Sequence, residues 1–65
     1  MAGVQQFTSH LGCKIILAPT GNDLFPAGSA LLILRIDTRR AEVLLTADEQ
    51  ERLAEMLLAG LEERG

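Results

Sequence analysis

The run SALLILRI, residues 29–36, places four large apolar residues side by side with no polar residue between them. Successive side chains of a β-strand point to opposite faces of the sheet, so a strand over this run is apolar on both faces. Such a strand needs cover on two sides. That cover has to come from elsewhere in this chain or from another chain.

The length of 65 residues makes that cover scarce. One domain spanning residues 1–65 is expected, and a domain of this size buries only about 60% of the surface that its unfolded chain exposes. Small domains compensate with disulfides, a metal or oligomerisation. Cys13 is the single cysteine and His10 the single histidine. The chain can therefore form no intrachain disulfide, and it offers few of the side chains that usually bind a metal. Oligomerisation remains as the expected source of extra stability.

Three segments have a clear strand pattern, and a fourth, near the N-terminus, has a weak one. Residues 1–10 contain VQQFTS, a weak alternation that predicts an edge strand or a flexible arm, whereas CKIILA, residues 13–18, alternates more clearly. The turn-forming residues that end this second segment are Pro19, Gly21, Asn22 and Asp23. Residues 30–37 and 41–45 then predict a hairpin that is joined by the four-residue loop DTRR.

The register of this hairpin is predicted from its charges. Opposite charges are favourable as cross-strand neighbours, and a slip of one residue would turn the apolar set of one strand to the wrong face. The expected pairs are Leu34 with Val43, Leu32 with Leu45, Ile36 with Ala41, Ile33 with Leu44 and Arg35 with Glu42.

The segment TADE, residues 46–49, has the T-x-x-E spacing of a capping box. It predicts a helix that begins at Ala47. At about 100° per residue, Leu53, Leu57 and Leu61 form one apolar stripe with further apolar residues on both flanks. The apolar arc approaches about 200°, whereas a helix that covers one sheet needs only about 100°.

These elements predict an α+β fold: a small antiparallel sheet of two or three strands, followed by a C-terminal amphipathic helix packed on it. We expect the helix to cover the sheet face that carries Leu32, Leu34, Ile36, Val43 and Leu45. The other face and the surplus helix arc then need a partner, and a C2 homodimer is the commonest closed assembly. The predicted interface residues are Leu31, Ile33, Leu44 and Leu58.

The connection PTGNDLFPAGS, residues 19–29, carries Leu24 and Phe25. The simpler prediction is that this apolar pair packs back onto one end of the core. The alternative is a tip of the molecule that binds a partner.

Little in the sequence supports catalysis or the binding of a cofactor. His10 and Cys13 form the only nucleophile and base pair, and their spacing of three does not place both on one side of a strand. A cysteine in CKIIL is typical of a small core residue. No glycine-rich phosphate loop occurs. We therefore expect no enzyme, no metal and no cofactor; a catalytic or metal-binding protein centred on His10 and Cys13 is the least favoured hypothesis.

Charge argues against nucleic acid as the main partner. The net charge is −3, the sequence pI is about 4.9, and neither Tyr nor Trp is present to stack on bases. The one basic spot is the predicted hairpin tip with Arg39 and Arg40. Residues 46–65 hold six acids against two arginines, net −4, while residues 1–45 hold three acids against four bases, net +1. The helix is therefore an acidic surface.

The leading hypothesis is a small non-enzymatic interaction protein, a regulator or inhibitor that binds itself and another protein. Five arginines against one lysine, with many Ala, Leu and Gly, are typical of GC-rich bacterial or phage genomes. The N-terminus lacks the pattern of a secretory signal and no apolar run approaches 20 residues, which predicts a cytoplasmic protein without a membrane partner. The alternative is a dimeric DNA-binding regulator or antitoxin-like protein that uses Arg39 and Arg40.

Overall fold

A computed structural model describes residues 3–21 and 23–64 as an antiparallel sheet followed by one helix. The elements are β1 Gln5–Thr8, β2 Lys14–Pro19, β3 Ala30–Ile36, β4 Arg39–Leu45 and α1 Ala47–Arg64. The strands lie in the order β1-β2-β3-β4, each antiparallel to its neighbours. The predicted α+β class is confirmed, but the described sheet has four strands, not two or three. Asn22, expected as a turn residue, lies outside the described residues.

β1 supplies the additional strand at one edge of the sheet. It pairs with β2 through Phe7 opposite Ile15 and Gln5 opposite Leu17. The connection between the strands is held by backbone and side-chain bonds. The amide of Ser9 donates to the carbonyl of Cys13 at 2.8 Å, and the amide of Cys13 donates back to Ser9 Oγ at 3.0 Å. The weak alternation of residues 4–9 therefore belongs to a paired edge strand.

The hairpin of β3 and β4 turns more tightly than the sequence predicts. Only Asp37 and Thr38 separate the two strands, and Asp37 has a φ of 53°. Two-residue hairpin turns that match the strand twist need a positive φ at their first position, and Asp tolerates this conformation better than most residues. The predicted four-residue loop is therefore wrong, because Arg39 and Arg40 belong to β4.

The shorter turn moves the register by two residues. Leu34 lies opposite Ala41 rather than Val43, and Arg35 lies opposite Arg40 rather than Glu42. The predicted pairs are wrong, but an even shift leaves every side chain on its predicted face. Glu42 still neutralises a base, since it forms an ion pair with Arg40 two residues away on the same strand.

Paired residues share a face, so the register divides the sheet into two surfaces. One surface, which we call the groove face, carries Phe7, Ile15, Leu17, Leu32, Leu34, Ile36, Val43 and Leu45. The other, which we call the basic face, carries Lys14, Ile16, Leu31, Ile33, Arg35, Arg40, Glu42 and Leu44. Apolar residues therefore occur on both faces, as the run SALLILRI indicates.

Few side chains are fully covered. Among residues 3–21 and 23–64, only Ser29, Ala30 and Ile33 are buried. Ile33 is 8% exposed, and its cross-strand neighbours on the basic face are Ile16 and Glu42. It lies on the inner strand β3, between β2 and β4. The best-covered large apolar side chain is thus one that we expected at an interface.

The helix begins at Ala47, as the capping box predicts. The amide of Thr46 donates to Glu49 Oε1 at 2.9 Å, and the amide of Glu49 donates to Thr46 Oγ1 at 3.3 Å. Further along, the expected packing on the sheet is largely absent. Leu53 is half-buried, whereas Leu57 and Leu61 are each 61% exposed. The helix therefore contacts the sheet near its start and leaves most of its apolar stripe uncovered.

Replacing Ile33 with Glu tests its place in the core of the protomer. We expect the free energy of unfolding to fall by more than about 3 kcal/mol, because a carboxylate would lie where apolar neighbours exclude water. Circular dichroism during urea denaturation measures the loss. Thr8→Glu is the matched control, since Thr8 is exposed on the edge strand, and it should change stability little. A folded but dissociated Ile33→Glu protein would contradict this placement.

Candidate functional site

An apolar groove of about 310 Å³ lies between the groove face and the first two turns of α1. Its apolar lining consists of Phe7, Ile15, Leu17, Leu32, Leu45 and Leu53. All four strands contribute to this lining, and the helix contributes Leu53 as one wall. The groove exists because the helix departs from the sheet instead of lying down on it.

The groove face remains open toward the β3–β4 turn. Leu34, Ile36 and Val43 are between 40% and 48% exposed, and Phe7 on the edge strand is 62% exposed. Leu34, Ile36 and Val43 belong to the face that we expected the helix to cover. Leu32 and Leu45, the other two residues of that expected set, are half-buried, as are Leu31 and Leu44 on the basic face. The helix therefore covers only part of the face that we expected it to cover.

The helix presents the second apolar surface. Met56, Leu57, Leu58 and Leu61 are all at least 60% exposed. They follow Leu53 along the helix, so the apolar stripe continues from the wall of the groove into solvent. A stripe of this length is typical of a helix that packs against another surface.

The direction of the helix is fixed at its first turn. Gln50 Nε2 donates to the carbonyl of Gly28 at 2.9 Å and to the carbonyl of Leu45 at 3.1 Å. One side chain thus ties α1 both to the end of β4 and to the loop before β3. Gly28 has a φ of 83°, and a Cβ at this position would lie 3.2 Å from the Cβ of Ala47. The loop and the helix start are therefore in close contact.

A second depression of about 510 Å³ adjoins the groove and shares Gln5, Leu17 and Gln50 with it. The loop of residues 19–29 forms much of its lining. Ser29 holds this loop, since its Oγ donates to the carbonyl of Pro26 at 2.7 Å. The depression is more polar than the groove and extends it past the end of the sheet.

The loop pair predicted to pack onto the core does not do so as a unit. Leu24 is 85% exposed and Phe25 is 39% exposed, although Phe25 lines the second depression. The prediction that both residues plug the core is wrong for Leu24, because the loop is held by Ser29 and Thr20 rather than by apolar burial. Leu24 is left as an exposed apolar residue of the loop.

The bases gather at the other end of the sheet. Register places Lys14, Arg35 and Arg40 in one row across three strands of the basic face. Arg39 follows at the start of β4, on the groove face and opposite Ile36. Arg39 and Arg40, predicted together as a tip, therefore point to opposite faces. The sequence did not reveal the row, because Lys14 joins it only through the register of β2.

The predicted interface residues separate into two places. Leu31, Ile33 and Leu44 lie together on the basic face, whereas Leu58 lies on the exposed helix. The structure does not test whether any of them meets a partner. Leu58 is 60% exposed and belongs to the exposed apolar surfaces, whereas Ile33 is 8% exposed and does not.

His10 and Cys13 both lie in the connection between β1 and β2. Cys13 is half-buried, and its Sγ lies 3.8 Å from the carbonyl of Lys14, which accepts its weak hydrogen bond. Within residues 3–21 and 23–64 no group of three His, Cys, Asp or Glu side chains is placed to hold a metal. No helix of the same residues is sufficiently long and apolar to cross a bilayer.

No protein-family model, curated protein or solved structure matches this chain at a significant level. The site is therefore described by its own surfaces. Gln50 and Phe7 were not predicted as site residues. The T-x-x-E spacing located the turn that contains Gln50, but nothing local indicated that its side chain would reach Gly28, 22 residues earlier.

Replacing Gln50 with Ala removes both bonds that hold the helix start. We expect the free energy of unfolding to fall by about 1–2 kcal/mol, because two backbone carbonyls lose a donor in a partly buried place. Urea denaturation measures the change. Arg52→Ala, two residues away on the exposed side of the helix, serves as the control and should cost less than about 0.5 kcal/mol. Equal losses of stability in the two variants would show that the hydrogen bonds of Gln50 do not stabilise the start of the helix.

Proposed function

We propose that this chain is a small non-enzymatic interaction protein, a regulator or inhibitor of bacterial or phage type that works by binding another polypeptide through its open apolar surfaces. The supporting observation is the size of these surfaces. Eight of the exposed apolar residues form these surfaces: Phe7, Leu34, Ile36, Val43, Met56, Leu57, Leu58 and Leu61. We call this set the apolar binding surface. Its two parts, on the sheet and on the helix, lie on either side of the groove.

The exposed area is large for so short a chain. At roughly 100 Å² for each half-exposed large side chain, the surface amounts to on the order of 800 Å², which is what each partner contributes to a standard interface. The largest single apolar patch of an ordinary monomer is about 300–600 Å², whereas here the area is divided between the sheet and the helix. Exposing this much apolar area to water is unfavourable. Association with a polypeptide would remove it from water and would compensate for the small internal core.

Affinity capture tests the proposal. A tagged wild-type chain, produced in cells beside the untagged chain, should retain a stoichiometric polypeptide, whether another copy or a different protein. Leu57→Glu should lose it, because a carboxylate would have to be desolvated in the middle of the apolar helix stripe. Arg52→Glu introduces the same side chain on the polar side of the helix and should retain it. If neither the wild type nor the control retains a polypeptide, the proposal fails.

A second candidate function rests on the row of Lys14, Arg35 and Arg40. Three bases on neighbouring strands are spaced as a surface that can contact several phosphates, and this supports a DNA-binding regulator. The ion pair of Arg40 with Glu42 and the net charge of −3 weaken that surface. DNA binding is therefore the weaker of the two candidates.

Fluorescence anisotropy with labelled double-stranded DNA at low salt tests the second candidate. Arg35→Glu should lower the affinity roughly tenfold, because it reverses the central charge of the row. The sheet should remain stable, since the introduced carboxylate would lie opposite Arg40. Arg64→Glu makes the same charge change at the far end of the helix and should have a smaller effect. Equal effects, or no binding by the wild type, would rule the row out as a DNA site.

A further inference from the structure

We propose that the polypeptide on the apolar binding surface is a second copy of this chain, and that the two copies exchange helices. Each α1 lies across the groove face of the other copy, so the dimer contains two equivalent contacts between helix and sheet. This inference rests on the proposed function and names its partner. It follows from the fixed direction of the helix, the matched size of the two open surfaces and the distribution of charge.

The helix cannot cover its own sheet while its first turn is intact. Only Thr46 separates β4 from α1, and this residue is part of the capping box with Glu49. Gln50 adds bonds to Gly28 and Leu45 on both sides of the connection. These bonds hold the helix in the direction in which it leaves the sheet, and a connection of one residue gives it little freedom to turn back onto its own groove face. The exposed part of the helix is thus available to another copy.

The groove face offers a surface that suits such a helix. The groove is already lined by Ile15, Leu17 and Leu32, and it opens toward the exposed Leu34 and Val43. An amphipathic helix that lies in an apolar groove is a common mode of recognition. The exposed helix residues and the exposed sheet residues occur on the same chain in similar number. In a C2 dimer, the exposed helix residues of each copy can therefore pack against the exposed sheet residues of the other.

Charge disfavours the pairing of two helices. α1 carries six acids and two arginines, net −4, whereas the described strand residues of the groove face carry one base, Arg39, and no acid. Pairing helix with helix would place two acidic surfaces together, and like charges that face each other across an interface disfavour association. Pairing two groove faces would leave the apolar helix stripe of each copy in solvent. Contact between helix and groove face avoids both costs.

Complementation between two monomeric variants tests the exchange. Leu57→Glu disables the helix and Val43→Glu disables the groove face; each pure variant should be monomeric by light scattering in the micromolar range. Mixing them should restore a dimer, because the intact helix of one chain meets the intact sheet of the other. The mixed dimer has one of the two contacts, so it should dissociate at least tenfold more readily than the wild type. Arg52→Glu should remain dimeric.

Phe7→Glu provides a second sheet variant on the exposed edge strand, for use if Val43→Glu disturbs the sheet by circular dichroism. Variants that stay monomeric when mixed would mean that like surfaces pair. A monomeric wild type would also overturn the exchange. In each of these cases, affinity capture still decides the proposed function separately.

Discussion

The one-residue connection at Thr46 is the constraint on which the rest of this structure depends. The capping box and the two bonds of Gln50 fix where the helix begins and in which direction it leaves the sheet. Those bonds are confined to the start of the helix, and they form whether or not its later turns find a surface. Because the first turn is tied down, the apolar stripe beyond Leu53 remains in solvent. The groove and the exposed stripe are thus two consequences of one connection.

The apolar residues on the two faces of β3 are covered to different extents. On the basic face, Ile33 is buried, and Ile16 and Glu42 lie opposite it on the adjoining strands. On the groove face Arg39 is the one base among the described strand residues, so cover has to come from a second layer. The charged residues therefore distinguish the two faces. The exposed large apolar residues of the strands, Phe7, Leu34, Ile36 and Val43, all lie on the groove face.

Local patterns predicted the helix and its start, because a capping box is a contact between residues three apart and can be recognised in the sequence. The register of β3 and β4 was missed because two criteria disagreed. Pairing Arg35 with Glu42 favoured a four-residue loop, whereas the conformation that Asp37 adopts allowed a two-residue turn. The ion pair of Arg40 with Glu42 satisfied the acid within one strand, although Arg35 then lies opposite another base, Arg40. Facial alternation excludes odd shifts of register but is indifferent to even ones. The bonds of Gln50 to distant carbonyls had no local signature.

Charge segregation between the strands and the helix follows the two faces of the sheet. Lys14, Arg35 and Arg40 lie on the basic face, whereas the groove face carries Arg39 as the one base among its described strand residues. The acidic helix begins on the side of the groove face, where Leu53 forms one wall of the groove. In the proposed exchange, apolar area would provide the affinity, because the groove face carries little charge. The acids of α1 would act by disfavouring the pairing of two helices. The single residue at the end of β4 leaves both apolar surfaces exposed.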